Sequence, residues 1–115
     1  MGRPGGRPDM AELATIARPY AEALFKAIAP QDAAAVAEQV NELGAIAADA
    51  SLRRFADNPK TDTEQVFQLV SAVAKRPHGD GTKNLLRLLI ENGRLAALPE
   101  IAAQFQALVN ARSGI

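Results

Sequence analysis

Alanine occupies 24 of the 115 positions, whereas tryptophan is absent and tyrosine and phenylalanine together number five. Alanine gives up no side-chain entropy on entering a helix, and runs of the aromatic and β-branched residues that suit a pleated sheet are scarce. The fold class that follows is all-α. Apolar residues make up 48% of the chain and charged residues 23%, which supports one packed core, and the chain is too short for two domains.

Residues 1–9 hold three glycines, two prolines and two arginines and show no apolar periodicity. Lacking the apolar stretch of a signal peptide, they read as a tag remnant or disordered extension, with the folded unit expected over 10–115. Apolar residues at 13, 16, 17, 20, 24 and 28 mark a first helix over 13–29, with Pro19 placed near its first turn and Pro30 ending it. A second, over 32–48, takes Asp32 as N-cap and turns Val36, Val40, Leu43 and Ala47 inward. Gly44, on the edge of that stripe, leaves room for a neighbouring helix to approach.

Ser51 is the expected cap of a short third helix carrying Leu52 and Phe55, closed by Asn58-Pro59. Thr61 and Glu64 have capping-box spacing for a fourth, whose inward stripe is Val66, Leu69, Val70 and Val73. Residues 76–81 are dense in helix breakers and read as a surface loop. The fifth helix is expected over 82–92 with Gly93 as a left-handed cap. The sixth runs from Leu98-Pro99 to about Arg112, with Ile101, Ala102, Phe105, Leu108 and Val109 as its stripe. Six helices with short connections describe a compact six-helix bundle.

Charge and residue types narrow the function. Lys plus Arg and Asp plus Glu are 13 each, so the uniform positive field of a general nucleic-acid binder or a polybasic membrane anchor is missing. No apolar run approaches the ~18 residues of a membrane span. There is no cysteine and a single histidine, His78, so thiol chemistry, a cysteine metal site and a Ser-His-Asp triad lack their parts. His78 sits among glycine and proline and reads as a solvated loop residue. Glu91 and Glu100 lie near helix ends without a second carboxylate at working spacing. Asn92-Gly93-Arg94 is a helix C-cap and Asp80-Gly81-Thr82 leads into an N-cap, and neither is a phosphate-cradling loop. No enzymatic activity, cofactor or metal is expected.

Two helices carry more apolar surface than one core requires. Stepping about 100° per residue from Ile16, the residues Ala23, Ala27, Tyr20, Leu13, Leu24, Ala17, Ile28, Ala21 and Phe25 fill an arc of roughly 200°, against the ~100° that suffices to face a core. In the fifth helix Leu85, Leu86, Leu88, Leu89 and Ile90 spread as widely, leaving Asn84, Arg87 and Glu91 on the polar side. Either neighbours cover both helices on two sides, or part of each arc stays open as a groove for another amphipathic helix. Ala17, Ala21, Ala23 and Ala27 keep the first helix low beside Tyr20. The apolar ring and polar tip of Tyr20 suit an interface, and equally a half-buried place in the core.

The segment Thr15-Ile16-Ala17-Arg18-Pro19-Tyr20-Ala21-Glu22-Ala23-Leu24-Phe25 closely resembles the opening of the delta subunit family of bacterial F-type ATP synthases, whose mitochondrial relative is the oligomycin-sensitivity-conferring protein. A second signature agrees: Lys83-Asn84-Leu85-Leu86-Arg87-Leu88-Leu89-Ile90-Glu91-Asn92-Gly93-Arg94-Leu95, followed by Leu98-Pro99-Glu100-Ile101 and Gln104-Phe105. The resemblance implies the N-terminal six-helix domain of a two-domain, non-catalytic stator subunit, with the smaller C-terminal domain missing. It further implies a place on top of the catalytic head, peripheral to the cytoplasmic face of the bacterial inner membrane. There the domain would hold the amphipathic N-terminal helix of an alpha subunit, and the missing domain would meet the b subunits of the peripheral stalk. Carried over position by position, the alpha-binding surface comprises Tyr20 and Ala23 on the first helix and Asn84 and Leu88 on the fifth, with Leu24, Ile28, Leu85 and Leu89 left to the core. Arg18 and Arg94 match the signatures as solvated or helix-terminal charges. The loop over 76–81 and the alanine-rich second helix match no family motif.

Two readings of other classes stand beside this one. A generic helical protein-protein adaptor would share only the architecture. A helix-turn-helix DNA binder would need several Arg, Lys, Asn or Gln residues on one exposed helix face, whereas Arg53-Arg54 and Lys75-Arg76 are small pairs flanked by acids. The isolated domain is expected to be a monomer that neither binds nucleic acid nor inserts into a membrane.

Overall fold

The computed structural model describes residues 10–75 and 79–113, so the expectations placed on residues 1–9 and on His78 lie outside the described residues. Six α-helices and no strand occur among those residues: α1 Met10–Ala27, α2 Ala33–Ala47, α3 Ala50–Asp57, α4 Thr63–Val73, α5 Asp80–Glu91 and α6 Leu98–Ser113. Short 3-10 turns at Pro30–Asp32 and Leu95–Ala97 lead into α2 and α6. The expected all-α six-helix bundle is the architecture observed.

The core is organised around α6, which packs along both α1 and α2. Leu98, Ile101 and Phe105 are fully buried there, and small residues facing the interior (Ala17, Ala21, Ala37, Ala47, Ala97 and Ala102) let the helices lie close. Gly44 marks the closest approach: a Cβ at that position would lie 3.2 Å from Pro99 Cα and 3.6 Å from Ala102 Cβ. On the other flank, Phe25 meets Phe105 edge to face with centroids 6.0 Å apart, and the Arg112 guanidinium lies 4.1 Å above the Phe25 ring centroid. Gln104 Nε2 donates to the Ala14 carbonyl at 2.8 Å. The Phe25 edge of α1 is therefore taken up by α6. Across the bundle α4 pairs with α5, where Arg87 stacks 4.1 Å over Phe67 and reaches Glu64 at 3.0 Å.

Several local expectations are corrected. α1 starts at Met10, so Pro19 sits inside the helix rather than near its first turn. The helix tolerates this because Thr15 and Pro19 are both exposed, and the turn that loses an amide donor lies on the solvent side. Asp32 does precede α2, but in helical conformation at the end of a 3-10 turn, and its carboxylate makes no cap bond. Asp49, not Ser51, caps α3, with its Oδ1 accepting from the Ser51 amide at 2.9 Å. The capping box of α4 is Asp62 with Gln65, whose Oε1 accepts from the Asp62 amide at 3.0 Å.

In α4 the buried face includes Phe67 with Val66 and Val70, whereas Leu69 and Val73 are 38% and 51% exposed. The reason is the position of α5, which lies on the Phe67 side and draws the core toward Arg87. α5 itself begins at Asp80, so Asp80-Gly81-Thr82 is its first turn rather than a lead-in loop. Gln39 of α2 organises that turn, accepting at Oε1 from the Gly79 amide (3.2 Å) and from the Thr82 hydroxyl (2.8 Å), which buries Thr82. The cap expected at Gly93 is present with φ +67°. The Arg94 amide donates to the Leu89 carbonyl at 2.8 Å and the Gly93 amide to that of Ile90 at 3.2 Å, the pairing of a Schellman motif.

Two glycines test two separate constraints, backbone conformation at Gly93 and close packing at Gly44. Gly93→Ala is expected to destabilise the fold by about 1 kcal/mol through its left-handed backbone alone. Gly44→Ala should cost about 1–3 kcal/mol by overpacking against the Pro99 backbone, outweighing the ~1 kcal/mol that alanine normally gains over glycine in a helix. Urea unfolding of both variants checks the pair.

Candidate functional site

α1 and α5 lie side by side in opposite directions. A Cβ placed on Gly81, in the first turn of α5, would lie 3.7 Å from both Ile28 Cγ2 and Leu24 Cδ1, near the end of α1. At the other end of α5, Asn92 Nδ2 donates to Tyr20 Oη at 3.1 Å. The left-handed turn at Gly93 ends the helix directly after Asn92 and leaves that side chain at the seam.

The wide apolar arc of α1 divides along its length. Ala17, Ala21 and Leu24 are buried, Phe25 at one edge lies against α6, and Leu13, Ile16 and Ile28 are half-buried. At the other edge Ala23 and Ala27 are exposed, with Tyr20 beside them half-buried. α5 divides in the same sense. Leu85, Leu86 and Leu89 are buried and Ile90 is half-buried, but Leu88 is 44% exposed and Asn84, one turn earlier, is exposed. Each helix is covered on part of its arc and open on the rest.

Asn84, Leu88 and Asn92 are four residues apart in turn and form one line along α5, and Tyr20 meets the end of that line through Asn92. Ala23 follows Tyr20 by three residues on the same side of α1. Of the positions left to the core, Leu24, Leu85 and Leu89 are buried, whereas Ile28 is only half-buried because it lies beyond the last residue of α1, at the rim next to Gly81. Reading Asn92 as a helix cap alone misses its second part, the bridge to Tyr20. Continuing the four-residue step from Asn84 and Leu88 is the signal that points to it.

The chemistry of this seam is that of a contact surface. It offers low apolar ground from Ala23 and Ala27, one projecting leucine, and amide and phenol groups at its margins. Tyr20 Oη accepts from Asn92, which leaves the phenol proton to donate. Among the described residues no group of His, Cys, Asp and Glu converges to hold a metal ion, and no helix is long and apolar enough to cross a membrane.

The open edge has a direct stability test. Leu88→Ser is expected to change unfolding free energy by less than about 0.5 kcal/mol, whereas Leu89→Ala, next to it but buried, should cost about 2–5 kcal/mol. Chemical denaturation of the two variants would show whether Leu88 serves the core.

The family model described as ATP synthase delta (OSCP) subunit matches residues 16–115. The ATP synthase subunit delta of Methylibium petroleiphilum is 65% identical over 106 residues, covering 92% of this chain and 60% of that protein. The subunit of the same name from Paracidovorax citrulli is 59% identical over 108 residues, covering 91% of this chain and 60% of that protein. The one from Cupriavidus taiwanensis is 45% identical over 108 residues, with the same two coverages. The chain spans about 60% of the length of the curated relatives it matches.

Proposed function

The chain belongs to the ATP synthase delta (OSCP) subunit family, and on that premise we propose that residues 10–115 act as the N-terminal domain of a non-catalytic stator subunit, residues 1–9 being a tag remnant or extension. Its task is to hold the amphipathic N-terminal helix of an alpha subunit in the groove between α1 and α5. A C-terminal domain outside this sequence would meet the b subunits, so that the whole subunit ties the catalytic head to the peripheral stalk against the torque of the rotor. The complex would place it peripherally, at the cytoplasmic face of the bacterial inner membrane.

The observation that supports this reading most is the pair of uncovered apolar edges: exposed Ala23 beside half-buried Tyr20 on α1, and Leu88, 44% exposed, on α5. The small alanine surface lets a helix backbone come near, and Leu88 can enter between its side chains. The incoming helix would present leucine-like anchors at i, i+3, i+4 and i+7. Tyr20 and Asn84 stand at the margins, where hydrogen bonds fix register more than they add affinity. Desolvated apolar area supplies most of the free energy, so salt should weaken binding only modestly. Because the partner is held rather than transformed, no proton or group transfer is required of any residue.

An amide NMR titration with a peptide copying the N-terminal segment of a cognate alpha subunit tests the reading. Saturable shifts centred on Tyr20, Ala23, Asn84 and Leu88 are expected. Ala23→Asp should weaken binding tenfold or more by burying an unpaired charge, and Leu88→Ala about three- to tenfold by removing an anchor. Wild-type affinity in a folded Ala23→Asp variant would exclude this surface, and shifts elsewhere would keep the family while moving the site.

A further inference from the structure

A cleft of about 620 Å³ opens where the N-terminal half of α1 meets α3 and the turn after α5, a size typical of ligand and peptide-anchor sites. Ile16 and Ile90, half-buried at the edge of the core, form part of its lining. Arg53 and Arg54 from α3 and Arg94 from the turn stand in the same lining. Their guanidinium groups have no ion-pair, hydrogen-bond or ring partner among the described residues, in contrast to Arg87 on Glu64 and Phe67 and Arg112 on Phe25. Asp57 is the single carboxylate of the lining. Three unpartnered positive groups around an apolar floor are a local excess in a chain whose net charge is zero.

We infer that this cleft docks an acidic amphipathic segment of another polypeptide. Its apolar side chains sit against Ile16 and Ile90, and its carboxylates meet Arg53, Arg54 and Arg94. The planar guanidinium fork matches a carboxylate in two parallel hydrogen bonds, and three such groups side by side attract an acidic segment more strongly than any one of them alone. The cleft shares none of the residues Tyr20, Ala23, Asn84 and Leu88. It is therefore a second docking surface with its own lining, next to the first along α1.

Three probes test it by NMR on the isotope-labelled chain: a short capped peptide of Glu-Leu-Leu-Glu repeats, its Gln-Leu-Leu-Gln counterpart, and phosphatidylglycerol vesicles. The acidic peptide is expected to give saturable shifts at Arg53, Arg54, Ile90 and Arg94. Its affinity should fall roughly tenfold in an Arg54→Gln/Arg94→Gln double variant and by a similar factor for the Gln peptide, and should decline steadily with added salt. Both substituted side chains are exposed, so circular dichroism should report an unchanged fold, and the salt series on the unaltered chain needs no variant. Equal affinity for the Gln peptide, salt-independent binding, shifts confined to Tyr20 and Leu88, or preference for the vesicles would each overturn the assignment.

Discussion

At Gly44 the backbones of α2 and α6 come so close that a single added carbon would press on Pro99 Cα at 3.2 Å, and the rest of the bundle is arranged around that approach. With α6 drawn onto α2, its other flank reaches α1 through Ala17, Ala21 and Phe105, and the Phe25 edge of α1 is closed by an aromatic contact and the Arg112 guanidinium. α1 spends the centre of its arc and one edge on this contact. α5 spends its own centre on α4 and the core beneath α1. The number of helices is then exhausted, and the remaining edges of α1 and α5 stay open because nothing in the described chain is left to cover them. The exposed apolar surface is thus what remains of the two wide arcs once α6, α4 and the core have taken their share.

What could be read from the residues depended on how local each signal was. Gly93 and Pro99 act through their own backbone geometry, and the end of α5 and the start of α6 follow from them without reference to anything distant. Helix starts were harder because capable caps come in clusters: Ser51 stands two residues after Asp49, and Thr61 next to Asp62. Which one acts depends on the path of the incoming chain. α4 has apolar residues at 66, 67, 69, 70 and 73, a spread wider than any single buried face. Only the position of α5, with Arg87 lying over Phe67, decides that Leu69 and Val73 turn outward. Thr82 is a similar case, since its burial rests on Gln39, distant in sequence, whose oxygen accepts two donors at the start of α5.

The candidate groove was legible to the same degree. Arc widths on a helical wheel reveal an excess of apolar surface on α1 and α5, which is arithmetic on one helix at a time. They do not reveal which edge is spare, because Leu86 and Leu88 both lie toward the margins of the same arc, yet Leu86 is 2% exposed and Leu88 44%. The family resemblance singled out Leu88 where periodicity could not. Neither route found Asn92 at the seam. Its hydrogen bond to Tyr20 spans 72 residues of sequence and exists only because the two helices run in opposite directions.

Alanine, the residue that dominates the composition, does two different jobs on α1 according to the direction it faces. Inward, Ala17 and Ala21 bring α6 close. Outward, Ala23 and Ala27 are exposed and form a low apolar shelf, which in the proposed function would let a helix backbone lie close. A shelf of leucines would offer more apolar area to a partner, but in the unbound chain it would be a contiguous sticky patch of the kind that drives self-association. Each exposed alanine adds little area, so the seam can remain uncovered at small cost, and Leu88 is the one large apolar side chain that projects from α5 there. Interfaces concentrate their energy in a few such anchors and use the surrounding residues to exclude water. That division of labour allows one small bundle to keep a well-packed interior and still leave an apolar edge open, and on the proposed reading it would give a chain so rich in the least distinctive side chain a specific surface.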